Sequence, residues 1–221
     1  MKDLFINGEG GLTAAGYALS IGLLAACLLA GLALAERSGQ KKGVDARRLA
    51  YCAMAVALAY AASFIKVFKL PYGGSVTLMS MLFIVLTAHW YGVKTGMLVG
   101  FAYGILQFLQ EPYFLSLFQV CCDYALAFAV LGLAGLFRKG KNSLVTGYLV
   151  AVLARGAFHA LGGYLYWMDY MPESFPQALR NLYPIIYNYS FLLAEAAVTV
   201  VVIKLPEVAR ALERIQEQAV K

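Results

Sequence analysis

Apolar residues dominate the chain in long runs, which short polar connections separate. A helix needs about 20 mostly apolar residues to cross a bilayer, so runs of this length predict transmembrane helices. The third run is short for a full crossing. The predicted segments are residues 12–35, 49–66, 77–91, 93–110, 113–137, 145–168 and 183–204.

These segments predict an all-α integral membrane protein with a six-helix core and one extra N-terminal transmembrane helix. Residues 1–48 would form the added helix and a basic linker, and residues 49–205 would form the six-helix membrane domain. Residues 206–221 are predicted to be an amphipathic tail, on the membrane surface, against a partner or simply solvated. The composition, 62% hydrophobic and 14% charged, leaves no room for a soluble catalytic domain.

The basic residues indicate an orientation in the membrane. The net charge is +6, and threading the loops alternately across a bilayer puts thirteen Lys and Arg residues on one side and four on the other. The positive-inside rule then predicts a multi-pass protein of a bacterial cell membrane, with its N-terminus outside and its C-terminus cytoplasmic. Because topology accounts for the basic excess, nucleic acid is not an expected partner.

The sixth segment contains polar residues that recur every four positions. Arg155, His159, Gly163 and Trp167 therefore lie on one slowly turning stripe of a helix. Taken alone, such a histidine is as consistent with a helix-to-helix hydrogen bond as with a ligand contact. The stripe as a whole predicts one polar and aromatic face in an otherwise apolar span.

Three charged residues are predicted near the bilayer midplane. Arg155 lies about 15 Å from either end of its span, and Asp123 and Glu195 lie at similar depth in segments five and seven. A charge at that depth costs at least about 2.5 to 3.5 kcal/mol, so these side chains should face the bundle interior. They form either an ion-pair layer that joins helices or the lining of a cavity. If all are ionised, the surplus negative charge favours a cationic ligand.

Aromatic residues and an amide follow at the outward end of the same region. Trp167 could stack on a flat cationic ligand, and Tyr183 would stand at the mouth of segment seven. Asn188 offers a donor and an acceptor for a heterocycle, or for a neighbouring helix. Tyr170 and Tyr189 are interpreted as part of the aromatic belt at the membrane boundary.

Two further features allow a functional and a plain interpretation. Pro71, Gly73 and Gly74 permit either a mobile gating loop over the pocket or an ordinary turn. Ala53 and Ala57 form a small-xxx-small ridge, which suits a docking partner or ordinary packing inside the bundle.

Several stretches resemble the thiamine-binding S component of energy-coupling factor (ECF) vitamin transporters. The resemblance covers roughly residues 47–205, and the Asp-Tyr run followed by Leu-Gly-Leu-Ala-Gly-Leu-Phe is its most specific part. The matching stretches are "GGSVTLMSM" at 73–81, "DYALAFAVLGLAGLF" at 123–137, "RGAFHALGGYLYW" at 155–167 and "YPIIYNYS" at 183–190.

The resemblance implies a thiamine capture subunit with an outward-facing pocket. It also implies that a T component and two ABC-type ATPases drive transport, with the T component docking at Ala53 and Ala57. Family members have Lys or Arg where this chain has Arg155, and a small residue at Gly163. The residues that would line the pocket are Asp123, Tyr124, Arg155, His159, Gly163, Trp167, Tyr183 and Asn188.

Two alternatives remain at this point. One is an S component for another vitamin, such as riboflavin, or for a pyrimidine precursor. The other is an intramembrane enzyme with His159 and either Asp123 or Glu195 as acid and base, but the sequence shows no nucleophile or metal set for it. We therefore predict no enzyme activity, no metal and no cofactor. The sequence contains no Walker A motif, so it would not couple ATP by itself.

Overall fold

The computed structural model describes residues 13–15, 18 and 45–221. The predicted first helix and most of its linker, within residues 1–48, therefore lie outside the described residues. From residue 45 on, six helices form a bundle and a seventh packs against one end of it. The helices are α1 (Ala46–Phe64), α2 (Ser80–Tyr91), α3 (Val93–Gln110), α4 (Leu117–Leu136), α5 (Ser143–Tyr170), α6 (Tyr183–Lys204) and α7 (Pro206–Val220).

The fold is that of an all-α membrane protein, as predicted. Among the described residues, α4, α5 and the segment Gln177–Lys204 are long and apolar enough to cross a bilayer. Large apolar side chains point away from the bundle along its sides, as at Leu98 and Val201, each 64% exposed. An exposed apolar surface of this kind is stable only in contact with lipid.

The short helix α2 lies at the centre of the bundle. Its sequence is apolar on every side, which is typical of a helix surrounded by others. Met81, Ile84, Val85 and Ala88 are almost completely buried. At about 1.5 Å per residue its twelve residues span about 18 Å, so α2 does not itself cross a bilayer.

A small β-hairpin precedes α2. Strand β1 (Lys66–Lys69) pairs antiparallel with β2 (Ser75–Thr77), and a 3-10 turn at Pro71–Gly73 joins them. Gly73 has a φ of 102°, a backbone conformation that favours glycine. The sequence predicted a bent connection here but not the paired strands. We call the end of the bundle that carries this hairpin the hairpin end.

Glycines bring α3 and α4 into backbone contact. A Cβ added at Gly100 would collide with the carbonyl oxygen of Phe128, and one added at Gly104 with that of Tyr124. Spaced by four residues, the two glycines form a flat surface on α3 that allows close helix approach. In the part of α4 that faces this surface, residues Cys121–Leu126 form a π-helix, and this irregular turn carries Asp123.

The C-terminal tail forms helix α7 at the opposite end of the bundle. Its Ala219 is buried, and the carbonyl of Ala219 accepts a hydrogen bond of 3.0 Å from the Tyr91 hydroxyl. Arg47 also donates to the Gln218 carbonyl over 3.4 Å. The predicted amphipathic tail thus packs its apolar side against the ends of α1 and α2.

The glycine contact between α3 and α4 predicts a large effect of a very small substitution. Gly100→Ala should lower the free energy of unfolding by about 2 kcal/mol, because the added methyl group forces two backbones apart. Thermal unfolding of the purified protein measures this change. Leu98→Ala, a lipid-facing change on the same helix, should cost less than half as much. Equal melting of Gly100→Ala and the unchanged protein would contradict the packing described here.

Candidate functional site

A cavity of about 740 Å³ opens at the hairpin end, between the hairpin and helices α3 to α6. The predicted pocket residues all line this one cavity, although they come from three helices. The turn residues Pro71, Gly73 and Gly74 line it as well. The predicted residues along its wall are Asp123, Tyr124, Arg155, His159, Gly163, Trp167, Tyr183 and Asn188.

A hydrogen-bonded series of polar side chains crosses the cavity wall. The Nε of Arg155 donates to Nε2 of His159 over 3.2 Å. Because arginine can only donate, Nε2 must be the acceptor, so the ring proton of His159 lies on Nδ1. That nitrogen lies 3.3 Å from Oδ1 of Asp123. The series fixes the orientation of the imidazole and ties α5 to α4.

Asp123 is held from its other side by Gln119. The Gln119 amide donates to Oδ2 of Asp123 over 2.8 Å, one helical turn before it. On the facing helix, a Cβ added at Gly162 would lie 2.8 Å from Oδ1, so a glycine there leaves room for the carboxylate. The carboxylate is thus fixed at the cavity wall, where a cation can approach it.

The guanidinium of Arg155 packs against an aromatic ring. Its central carbon lies 4.0 Å from the ring centre of Phe128 on α4. A cation over a ring face is stabilised by the ring quadrupole, more so away from water. Phe128 and His159 together therefore accommodate the half-buried arginine that the sequence showed within an apolar span.

Asn188 and Gly163 form the contact between α6 and α5. The Asn188 amide nitrogen donates to the Pro184 carbonyl over 2.8 Å and to the His159 carbonyl over 3.3 Å. Both bonds use the nitrogen, so the amide oxygen is the atom available as an acceptor. A Cβ added at Gly163 would lie 2.7 Å from Cβ of Pro184. Gly163 therefore serves close helix packing beside the cavity.

Aromatic side chains surround the mouth of the cavity. The ring centre of Trp167 lies 4.8 Å from that of Tyr113 and 5.2 Å from that of Tyr170. Tyr170 therefore lines the cavity, whereas the sequence assigned it to the aromatic belt. Its hydrogen bond with the loop residue Tyr113 raises the pKa of Tyr113 to about 12, so this phenol is neutral at pH 7. On the opposite side, Tyr183 is buried beside Phe175.

The other belt assignment, Tyr189, lies away from the cavity. Its hydroxyl donates to the Leu153 carbonyl over 2.8 Å, and its ring fills the space beside Gly156. Tyr189 thus joins α6 to α5.

Tyr187 holds the turn of the hairpin against α6. Its hydroxyl donates to the Pro71 carbonyl and accepts from the Gly74 amide over 3.1 Å. A Cβ at Gly74 would lie 2.8 Å from Cδ1 of Phe191, so the turn packs directly on the helix. Residues 71–74 thus cover part of the cavity.

A second attachment holds strand β1 of the hairpin. Lys66 forms an ion pair with Glu111 at the end of α3, and Nζ of Lys69 lies 3.9 Å from the same carboxylate. The Glu111 carbonyl accepts from the Tyr124 hydroxyl over 2.8 Å. Tyr124 thus connects α4 to the residue that anchors the hairpin, besides lining the cavity.

Sequence reasoning missed several residues of the wall. Gln119 lies four residues before Asp123, a spacing that could have shown both on one helix face. Phe128, Glu111 and Tyr113 gave no such signal, because their places depend on how separate elements pack. Glu195, which the sequence placed at the midplane and gave a role only in the enzyme alternative, also lines the cavity.

The remaining candidate residues lie elsewhere. Ala53 and Ala57 are exposed on the outer surface of α1, which does not fit the interpretation of ordinary packing inside the bundle. Within residues 45–221, no group of three His, Cys, Asp or Glu side chains is placed to hold a metal ion. Cys52, Cys121 and Cys122 are free thiols.

Comparisons with known proteins agree on one family. A family model described as thiamine transporter protein (Thia_YuaJ) matches residues 49–213. The thiamine transporter ThiT of Bacillus subtilis (strain 168) is 27% identical over an alignment of 154 residues, and the match covers 61% of this chain and 76% of the relative. A solved structure of ThiT from Listeria monocytogenes has a TM-score of 0.61 at 24% identity, covering 71% of this chain and 90% of that one. At that identity, the structural likeness establishes the fold alone.

The hydrogen bonds of the Tyr187 hydroxyl should limit the mobility of the turn above the cavity. Tyr187→Phe removes the bonds to Pro71 and Gly74, so amide hydrogens of residues 73–75 should exchange about tenfold faster. Hydrogen–deuterium exchange with mass spectrometry measures this rate. Tyr189→Phe removes the same kind of hydroxyl bond away from the cavity and should leave the turn unchanged. Unaltered exchange in Tyr187→Phe would show that other contacts hold the turn.

Proposed function

Because the chain belongs to the thiamine transporter protein family, we propose that it captures thiamine in the cavity at the hairpin end. In this role it is the S component of an ECF-type vitamin importer in a bacterial cell membrane. It binds the vitamin but does not hydrolyse ATP, and a separate T component with two ABC-type ATPases drives delivery.

The observation that carries the proposal is the carboxylate of Asp123 in a cavity with an aromatic wall. Thiamine contains a thiazolium cation, which needs a negative charge and aromatic faces once it leaves water. Asp123 supplies the charge, and the indole of Trp167 supplies a stacking face. His159, which accepts from Arg155, holds the Asp123 carboxylate in place through its Nδ1.

The aminopyrimidine ring of thiamine requires a different partner. Its ring nitrogens accept hydrogen bonds, and its amino group donates them. Within the described residues both hydrogen bonds of the Asn188 amide use its nitrogen, so its oxygen suits the amino group, and Tyr183 lines the same cavity. Gly163 lets these groups come close to the stripe of α5. Tyr124 completes the same wall.

The proposed orientation places the cavity on the outer side of the membrane. The positive-inside rule puts α7 and its basic neighbours in the cytoplasm, and α7 lies opposite the hairpin. Thiamine would then enter from outside, past the turn at Pro71, Gly73 and Gly74. The attachments of this turn to Tyr187 make it a suitable gate.

A thiamine titration tests the proposal. The sequence has two tryptophans. Trp167 lines the cavity, and Trp90 is buried at the C-terminal end of α2, away from the hairpin. Thiamine should quench the tryptophan fluorescence saturably, and riboflavin, tested by calorimetry, should not bind. The Trp167→Phe variant should lose the quenching, while calorimetry should still detect its binding of thiamine. His159→Ala should weaken binding about tenfold, because the Asp123 carboxylate loses a hydrogen bond that orients it.

Arg210→Ala supplies the control for this titration, because Arg210 is exposed on α7, far from the cavity. Its affinity for thiamine should equal that of the unchanged protein. If calorimetry detects no thiamine binding to the unchanged protein, thiamine capture is wrong.

If the exposed ridge on α1 is where the T component docks, changes to it should lower thiamine transport but not thiamine binding. Changing both Ala53 and Ala57 to Leu should leave thiamine affinity unchanged but lower uptake in cells severalfold, since a partner helix could no longer approach. Uptake of labelled thiamine and calorimetry measure the two effects. Ala197→Leu, an exposed alanine on α6, is the matched control and should retain uptake. Normal uptake by the double variant would exclude the ridge as the docking surface.

A further inference from the structure

Glu195 is a buried carboxylate to which neither the sequence resemblance nor the proposed contacts assign a role. It lies on α6, seven residues beyond Asn188, and is 4% exposed. Its Oε2 accepts two bonds of 2.8 Å from Thr77, one from the backbone amide and one from the hydroxyl. Its Oε1 is buried and has no hydrogen-bond partner among the described residues.

The hydrogen bonds of Glu195 favour the charged form of the carboxyl group, whereas its burial opposes that form. Both bonds from Thr77 are donated to the carboxylate, and donated bonds favour the ionised state. A buried acceptor without a full hydrogen bond is costly, although the backbone amide of Met81 also interacts with this carboxylate. Glu195 lines the cavity, and a ligand bound there can provide a further interaction.

The charges along the cavity wall show what kind of ligand this is. Among the charged residues that line the cavity, Lys69 and Glu111 lie within 3.9 Å of each other and offset one another, which leaves Asp123, Arg155 and Glu195. Within the described residues, neither carboxylate forms a direct ion pair with Arg155. One guanidinium can balance only one of the two carboxylates. The second leaves the wall formed by α4, α5 and α6 with one negative charge, which matches a ligand with a single positive charge.

We infer that Glu195 is a specificity-determining residue, which gives the cavity its preference for a singly charged cation over a neutral ligand of the same shape. The inference rests on the proposed function, since it concerns the same cavity. Thr77 fixes the carboxylate, and the carboxylate acts on the ligand through its charge. Its effect therefore extends over several ångströms of poorly screened space and requires no direct contact.

The test compares thiamine with a neutral isostere, in which carbon replaces the thiazolium nitrogen. Glu195→Gln keeps the size of the side chain and an acceptor for Thr77 but removes the charge. Calorimetry should show that thiamine binding weakens about tenfold, while binding of the isostere changes less than about twofold. Glu213→Gln, which removes an exposed carboxylate on α7, should change neither affinity.

Glu195→Asp is a second variant that keeps the charge. It should retain the preference for thiamine over the isostere, even if the shorter side chain lowers both affinities. This variant keeps the test decisive if Glu195→Gln does not fold, which thermal unfolding would show. Loss of the preference in Glu195→Asp overturns the inference.

The outcomes separate this inference from the proposed function. If the unchanged protein binds neither thiamine nor the isostere, thiamine capture itself fails. If it binds both, and Glu195→Gln weakens both equally or neither, thiamine capture stands and the role of Glu195 is wrong. In that case Glu195 serves only to hold the hairpin through Thr77.

Discussion

The rest of the structure depends on the need to accommodate ionisable side chains inside an apolar bundle. A charge removed from water must find a partner, a polarisable ring or a ligand, and each solution here joins different helices. Arg155 on α5 uses the ring of Phe128 and the imidazole of His159, which in turn faces Asp123 on α4. Glu195 on α6 uses Thr77 of the hairpin. The same contacts that hold the helices together therefore form the wall of the cavity.

Close helix packing makes this arrangement possible. The glycine surface of α3 brings the backbone of α4 close enough for its π-helical turn to direct Asp123 toward α5. Gly162 leaves room for the carboxylate, and Gly163 lets α5 touch α6 at Pro184. A bilayer supplies no hydrophobic force between helices, so packing and buried hydrogen bonds must provide it. In the proposed function, the ligand would add its own contacts to this network.

Much of the helical fold and one wall of the cavity could be predicted from the sequence, because helices inside a membrane are written as long apolar runs in which polar residues stand out. Apolar runs gave the helices from residue 49 on, and the four-residue spacing from Arg155 to Trp167 gave one wall of the cavity. The hairpin could not be predicted in the same way. Its strands are short, and its turn is held by Tyr187, more than a hundred residues away in the sequence. Glu111 was missed for the same reason, since its ion pair with Lys66 forms only once the elements have packed.

The most direct measurement of the central claim is an experimental structure of the purified protein with saturating thiamine. Thiamine density should then appear in the cavity at the hairpin end, with one ring against Trp167 and the thiazolium near Asp123 and His159. Thiamine bound at another place, or a cavity occupied by lipid at saturating thiamine, would contradict the central claim.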